Sequence, residues 1–372
     1  MIGTAPDLPE PDRAEGAAHP RFAPSLVGHE RAQGQFLEAV NTGRLHHAWL
    51  ITGPPGIGKA TLAWRLARFL LTSPEPSSDA GLFGAPEPLT SLDPGPDPAP
   101  LSRIEALSEP GLFLLRRGWD AKTRKLRTVI TVDEVRALNG FFALSRPDGG
   151  RRVVIVDAAD EMNANAANAL LKRLEEPPAQ TVFLLVSHMP SRLLPTIRSR
   201  CRTLPCARLP EAQMAEVLAR LLPDTPAEER TALAQLADGS PGGALRLQVH
   251  DGVSLGREID ALLASMPGVD RMRAVALAAG LSARDAQDKR SLCLDLMDQA
   301  MARIARAGVL GGDDPLARLA PGPDAGRRWA QAQQDESARV RRGLAVNLDA
   351  HSLILDMVLR IDKLAADCAA GR

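Results

Sequence analysis

A parallel-sheet α/β domain followed by two all-helical domains is the architecture this sequence predicts, on three observations. Short apolar, β-branched runs at Ala48–Thr52, Arg152–Val156 and Thr181–Ser187 alternate with stretches of helical period. A glycine-rich turn, Gly53 to Gly58, stands between the first run and a helix. Beyond Leu209 the strand signals stop, and patterns rich in Ala, Leu, Arg and Met continue to the C terminus.

Phe36, Leu37 and Val40 share one apolar face, which predicts a helix from Glu30 to about Val40. Ala48–Thr52 is a short strand, and Lys59 opens a helix on which Leu62, Leu66, Phe69 and Leu70 keep helical spacing. From Ser73 to Pro110 the composition turns to Pro, Gly, Ser and Asp, which predicts a mobile insertion. Leu112–Leu115 resumes the sheet. Thr131-Val132-Asp133-Glu134 has the form of a capping box, in which hydroxyl and carboxylate each satisfy an N–H that a first helical turn leaves unpaired. Arg152–Val156 is continuously β-branched, as suits a strand covered on both faces. A helix from about Asn163 to Glu176 ends at Pro177-Pro178, where a missing N–H and a ring clash stop it. Thr181–Ser187 and Thr203-Leu204 supply two more strands. In the helical part, breaks fall at Pro223-Asp224, Gly239 to Gly243 and Gly311-Gly312. The predicted division is a loose N-terminal tail over 1–24, an α/β domain over 25–207, a small helical domain over 208–250 and a larger helical domain over 251–372.

Composition narrows the classes. Of 372 residues, 45% are hydrophobic and 24% charged, the balance of a globular chain. No apolar run approaches the ~20 residues that cross a bilayer, so the expected compartment is the cytoplasm and no membrane partner is expected. Lys+Arg and Asp+Glu stand at 45 each, so affinity for a phosphate backbone must come from a local patch. Four cysteines, Cys201, Cys206, Cys293 and Cys368, are too few and scattered for a disulfide framework. Cys201 and Cys206 lack a second Cys/His pair, so they read as core thiols and no metal site is expected. His46 and His47, ahead of a strand, read as packing or hydrogen-bonding residues.

The chemistry gathers at Gly53-Pro54-Pro55-Gly56-Ile57-Gly58-Lys59. Between strand and helix, such a loop can aim successive N–H groups at an anion while the helix N-terminus adds partial positive charge and Lys59 reaches the outer phosphates. The next position ordinarily carries a Ser or Thr whose hydroxyl ligates Mg²⁺; here it is Ala60. Thr61 follows, rotated by about 100° around the helix and so expected to point away from that ion. Val153 to Asp157 resembles the second phosphate-site strand, whose terminal Asp holds the metal, but Ala158 stands next. Asp160 and Glu161 fall in the turn beyond. Phosphate binding survives these losses; efficient metal-assisted hydrolysis does not.

Leu26-Val27-Gly28-His29-Glu30, His46-His47-Ala48, the phosphate loop, Asn168-Ala169-Leu170-Leu171-Lys172-Arg173-Leu174-Glu175-Glu176-Pro177-Pro178 and Arg198-Ser199-Arg200-Cys201-Arg202 occur in one order with compact spacing. Together they resemble the clamp-loader subunits of bacterial DNA polymerase III, AAA+ proteins, and in particular those of the delta prime type. The resemblance covers residues 25 to 207 strongly and extends to about 250; beyond that it rests on length and helical character.

It implies an AAA+ domain, a helical lid over 208–250 and a C-terminal collar that joins subunits. Arg200 of the Ser-Arg-Cys triplet is then an arginine finger reaching a neighbour's ATP. Gly53, Pro54, Pro55, Gly56, Ile57, Gly58, Lys59, Ala60, Thr61, Asp157 and Ser187 line a degenerate ATP or ADP site, with Ser187 or His188 at the sensing end of its strand. Gly242 stands where ATP-driven relatives carry a sensing arginine. The four-cysteine zinc module of some relatives has no counterpart here, so zinc is not expected. Implied partners are the gamma/tau ATPase subunits, the clamp-opening delta subunit, the sliding clamp and primer-template DNA. For Lys172 and Arg173, DNA contact stands beside an intersubunit or solvated role. Two rival functions remain: an ATP-hydrolysing motor subunit of the gamma/tau kind, against which Ala60, Ala158 and Gly242 count, and an independent DNA-binding or helicase-loading module, which balanced charge disfavours.

Overall fold

The computed structural model describes residues 9–73, 88–94, 98–144, 150–283 and 285–371. Those residues group into two compact units. One is built from Met1–Thr225 and Ala237–Leu245, the other from Pro226–Leu236 and Arg246–Arg372.

Seven strands lie in the first unit: β1 (Ala48–Thr52), β2 (Leu112–Leu115), β3 (Trp119–Asp120), β4 (Lys125–Leu126), β5 (Arg152–Val156), β6 (Thr181–Ser187) and β7 (Arg202–Pro205). Five form a sheet in the order β2-β5-β6-β1-β7, every neighbouring pair parallel. The antiparallel pair of β3 and β4 is separate, and the sequence did not signal it.

Alternation along the strands divides the core in two, because successive side chains point to opposite faces. Trp49, Ile51, Val153, Ile155, Val182, Leu184 and Val186 join one core, with the helices Glu30–Asn41 and Lys59–Thr72. Ala48, Leu50, Val154, Val156, Phe183 and Leu185 join the other, with Val132–Ala143 and Ala164–Glu175. The predicted capping box is realised by Thr131 and Glu134, and the Asn163 side chain caps its helix by accepting from Ala166 N. Because β6 is inserted between β1 and β5, and all three run parallel, Thr52 ends beside Ser187 and Val156 beside Leu185, so the three strands leave the sheet at one carboxyl edge.

Two expectations need correction. Residues 9–24, read as a loose tail, are anchored. The Asp12 carboxylate is buried between His19, at 2.9 Å, and Arg116, while Arg21 pairs with Glu10. Two Arg68 nitrogens donate to the Arg21 and Ala23 carbonyls. The insertion is also partly tied down. Pro98–Glu105 is a helix, Leu92 and Ile104 enter the core, Arg65 pairs with Asp93 at 2.7 Å, and Asn41 bonds both ways with Leu89. The rest of that expected mobile segment, 74–87 and 95–97, lies outside the described residues.

The second unit is helical, as predicted. Gln287–Leu310 and Pro323–Ala345 pack antiparallel, bringing Ser337 to 2.8 Å from Asp298 and Arg341 to 2.7 Å from Asp295. Their crossing is close because both carry glycine at the contact: a Cβ on Gly326 would stand 2.7 Å from the Ala305 oxygen. Gly311, at φ 74°, ends the first helix, and Trp329 is buried with its indole N–H donating to the Leu319 oxygen. The stretch 208–250 is shared between the two units, with Pro226–Leu236 in the second and Ala237–Leu245 in the first. Leu236 lies within van der Waals reach of Gly256 in the second unit, whereas Ser240 and Gly242 bond the phosphate loop in the first. Among the described residues no helix is long and apolar enough to cross a membrane.

Candidate functional site: a phosphate loop and a remote arginine

The loop from Gly53 to Gly58 leaves β1 through three positive-φ glycines, at 148°, 73° and 102° for Gly53, Gly56 and Gly58. Two of them are also forced by contact. A Cβ on Gly53 would stand 2.4 Å from the Cys206 oxygen, and one on Gly56 2.5 Å from Ser240 Oγ. Ile57 is buried, and its carbonyl oxygen lies 2.8 Å from His29 Nε2. Among the described residues no protein acceptor takes the N–H groups of Gly56, Ile57 or Gly58. That is the arrangement in which a loop binds an anion.

Lys59, the first residue of its helix, is only 2% exposed and donates from Nζ to the Gly53 and Pro54 carbonyls. Burial pushes its ammonium down to about 8, against the opposing charges of Asp157, Cys206 and Asp160. Asp157, leaving β5, is pushed up to about 8, first by burial and then by the Asp12 and Glu161 carboxylates. These groups share a cavity of about 520 Å³. Gly56, Ile57, Gly58, Lys59, Ala60, Thr61 and Asp157 line it, as do Ala158, His188, Gly242 and much of the segment from Pro11 to Val27.

The loop is closed from the other side by backbone. Gly242 N donates to the Gly56 oxygen at 2.8 Å, and Ser240 Oγ to the Pro55 oxygen at 3.0 Å. A Cβ on Gly242 would come within 2.9 Å of Gly56 Cα, so glycine here permits a main-chain contact that a larger residue would push apart.

Ser187 departs from its expected place. It is fully buried, and among the described residues its hydroxyl has no hydrogen-bond partner and it does not line the cavity. Alternation puts it on the face of Phe183 and Leu185, so His188 is the strand-end residue at the cavity. Thr61 lines the cavity alongside Ala60. Gly53, Pro54 and Pro55 belong to the loop but stand outside the cavity lining. Asp160 accepts from His188 N at 2.9 Å, and Glu161 pairs with Arg117 at 2.9 Å.

Three contributors were not assigned to the site in advance: His29, through the Ile57 carbonyl; Ser240, through Pro55; and the buried Asp12, held by His19 and Arg116. Burial would raise the Asp12 carboxyl, but the His19 hydrogen bond and the Arg116 charge hold it below the usual carboxylate range. His46 and His47 hydrogen-bond to the Ala48 and Leu174 carbonyls and stack on each other. Cys206 is buried and Cys201 half-buried.

Arg200 stands elsewhere. It precedes β7, so it sits at the amino edge of the sheet, while Cys206 just beyond the strand touches Gly53 at the carboxyl edge. Four strand residues at ~3.3 Å each put roughly 13 Å between the two edges. Its guanidinium is 37% exposed, pairs with Glu175 at 2.9 Å and donates to the Thr196 oxygen at 3.0 Å. Arg173, by contrast, is engaged by Asn139 and lies 5.9 Å over the Phe142 ring, while Lys172 is exposed.

Comparison with known proteins places this arrangement. Residues 28–210 match the family described as "DNA polymerase III, delta subunit". The DNA polymerase III subunit delta' of Pseudomonas aeruginosa is 44% identical over 201 residues, 54% of this chain and 55% of that protein, so this match spans about half of the relative. The gamma/tau subunit of Mycobacterium tuberculosis is 32% identical over 53% of this chain and 30% of its own length. The DNA polymerase III gamma subunit-related protein of Thermotoga maritima, a solved structure, covers 89% of this chain and 97% of its own at 16% identity and a TM-score of 0.39. Subunit delta' of Escherichia coli is 31% identical over 335 residues, 88% of this chain and 92% of the relative. On that near full-length match, the chain belongs to the DNA polymerase III subunit delta' family.

Proposed function

We propose that this chain is a non-motor subunit of the DNA polymerase III clamp loader, which helps place a sliding clamp on primed DNA, supplies Arg200 to a neighbour's ATP site and cleaves little or no ATP itself. The observation that carries this reading is a separation: the loop keeps its anion-binding backbone and Lys59, while Ala60 and Ala158 stand where a metal hydroxyl and a base are needed. The nearby acids do not fill the gap, since Asp160 is taken by His188 N and Glu161 by Arg117. The cavity residues fit the phosphates of ATP or ADP; the loop N–H groups and Lys59 would hold them. Arg200, at the opposite sheet edge, is too far to serve its own loop and is exposed enough to serve another.

The partners of this reading are the gamma/tau ATPase subunits, the delta subunit, the clamp and primer-template DNA. Of Lys172 and Arg173, Lys172 is the more exposed and the better placed to meet a DNA phosphate. The test is phosphate release by the isolated chain with ATP and magnesium, then by the reconstituted complex with and without the chain. Expected is near-background turnover alone and DNA-stimulated turnover only with the chain present. Brisk turnover by the isolated chain would instead support the motor-subunit reading, which Lys59 and Asp157 favour.

A further inference from the structure

Arg200 is held by its own chain. Both terminal guanidinium nitrogens are engaged, Nη2 with Glu175 Oε1 at 2.9 Å and Nη1 with the Thr196 carbonyl at 3.0 Å. These are the nitrogens with which a guanidinium grips a phosphoryl group, two N–H donors side by side. Glu175 is the last residue of the helix Ala164–Glu175, where the partial negative charge of the helix end adds to that of the carboxylate. Pair and helix end together offer Arg200 an anion much like the one it would meet across a subunit boundary. The pair is half open to solvent, at 37% and 42% exposure. A pair so exposed is weak and readily exchanged.

We propose that Glu175 is a positioning residue for Arg200, a carboxylate latch that occupies the guanidinium in the free chain and yields it when the phosphates of a neighbouring subunit's nucleotide take its place. The proposal rests on the reading of Arg200 as a finger acting in trans. It makes capture of the finger an exchange of one anion for another, so part of the favourable contact with nucleotide is offset by the contact given up. Removing the latch charge then tightens the neighbour's hold on ATP without touching the chemistry of cleavage.

The experiment uses the reconstituted complex and measures its DNA-stimulated ATPase against ATP concentration, for the native chain and for E175Q, E176Q, R200A and the double variant E175Q/R200A. Glu176 is the exposed neighbouring carboxylate and makes no ion pair with Arg200 among the described residues, so E176Q has the same net charge as E175Q but keeps the latch. Expected is a KM for ATP lowered roughly two- to fivefold in E175Q with kcat unchanged, the native KM in E176Q, and no effect of E175Q once Arg200 is gone. A native KM in E175Q, an equal shift in E176Q, or a lower kcat in E175Q would each overturn the latch while leaving the finger in place. An unchanged rate in R200A would instead remove the finger itself, and the latch with it.

Discussion

The phosphate loop and the Arg200 corner occupy opposite edges of one sheet and are built on opposite plans. The loop is over-determined: three positive-φ glycines, a buried lysine bonded to two carbonyls, a histidine on Ile57 and a helix start stapled to Gly56. Arg200 is held by a half-exposed ion pair with Glu175, the Thr196 carbonyl and a long contact to Ser199 Oγ. A group that acts within its own domain can be fixed by packing. One that must leave its place to act on another molecule needs a hold weak enough to exchange, and a surface ion pair provides that.

This contrast can be broken or sharpened by substitution. The largest effect is expected at Arg200: R200A should lower the ATPase of the assembled complex on the order of 10³-fold, the low end for arginine fingers, with the complex still forming on a sizing column. Retained turnover would remove the contrast, since neither edge would then serve hydrolysis. At the loop, Gly56→Ala should cost about 1–3 kcal/mol in urea unfolding, because its φ of 73° and the 2.5 Å approach of Ser240 Oγ both oppose a Cβ. Lys59→Ala should weaken ADP binding by the isolated chain roughly tenfold in calorimetric titration, the share of one charge-assisted hydrogen bond, while the complex keeps its ATPase. The smallest effect is a pH dependence at Asp157. Its folded pKa of about 8 lies above the ordinary aspartate value of 3.8, so the folded state holds a proton that the unfolded chain releases, and stability falls as pH rises between those values. Asp157→Asn should therefore gain stability relative to the native chain from about pH 4 to pH 8 and level off above; parallel unfolding curves across that range would contradict the burial argument.

What could be read in advance follows from what is local. The five sheet strands, the capping box, the Pro177 stop and the phosphate loop all depend on residues close in sequence, and they stand where the residue pattern put them. Positions set by distant partners were not legible. Asp12 is anchored by Arg116, Asn41 by Leu89, and Ser240 by Pro55, contacts across 104, 48 and 185 positions. The anchoring of residues 9–24 and the packing of Leu89, Leu92 and Asp93 were hidden for that one reason. Ser187 differs, because strand alternation with Phe183 and Leu185 already assigns it to the face away from the cavity. The Glu175 partner of Arg200 had no signal in sequence, since nothing local distinguishes it from Glu176.

The meeting of Gly242 with Gly56 carries a consequence for protein engineering. Because a Cβ at 242 would stand only 2.9 Å from Gly56 Cα, closer than real Cβ atoms approach, an arginine placed there by substitution meets main chain before its side chain begins. Any such graft has to prise two backbones apart first.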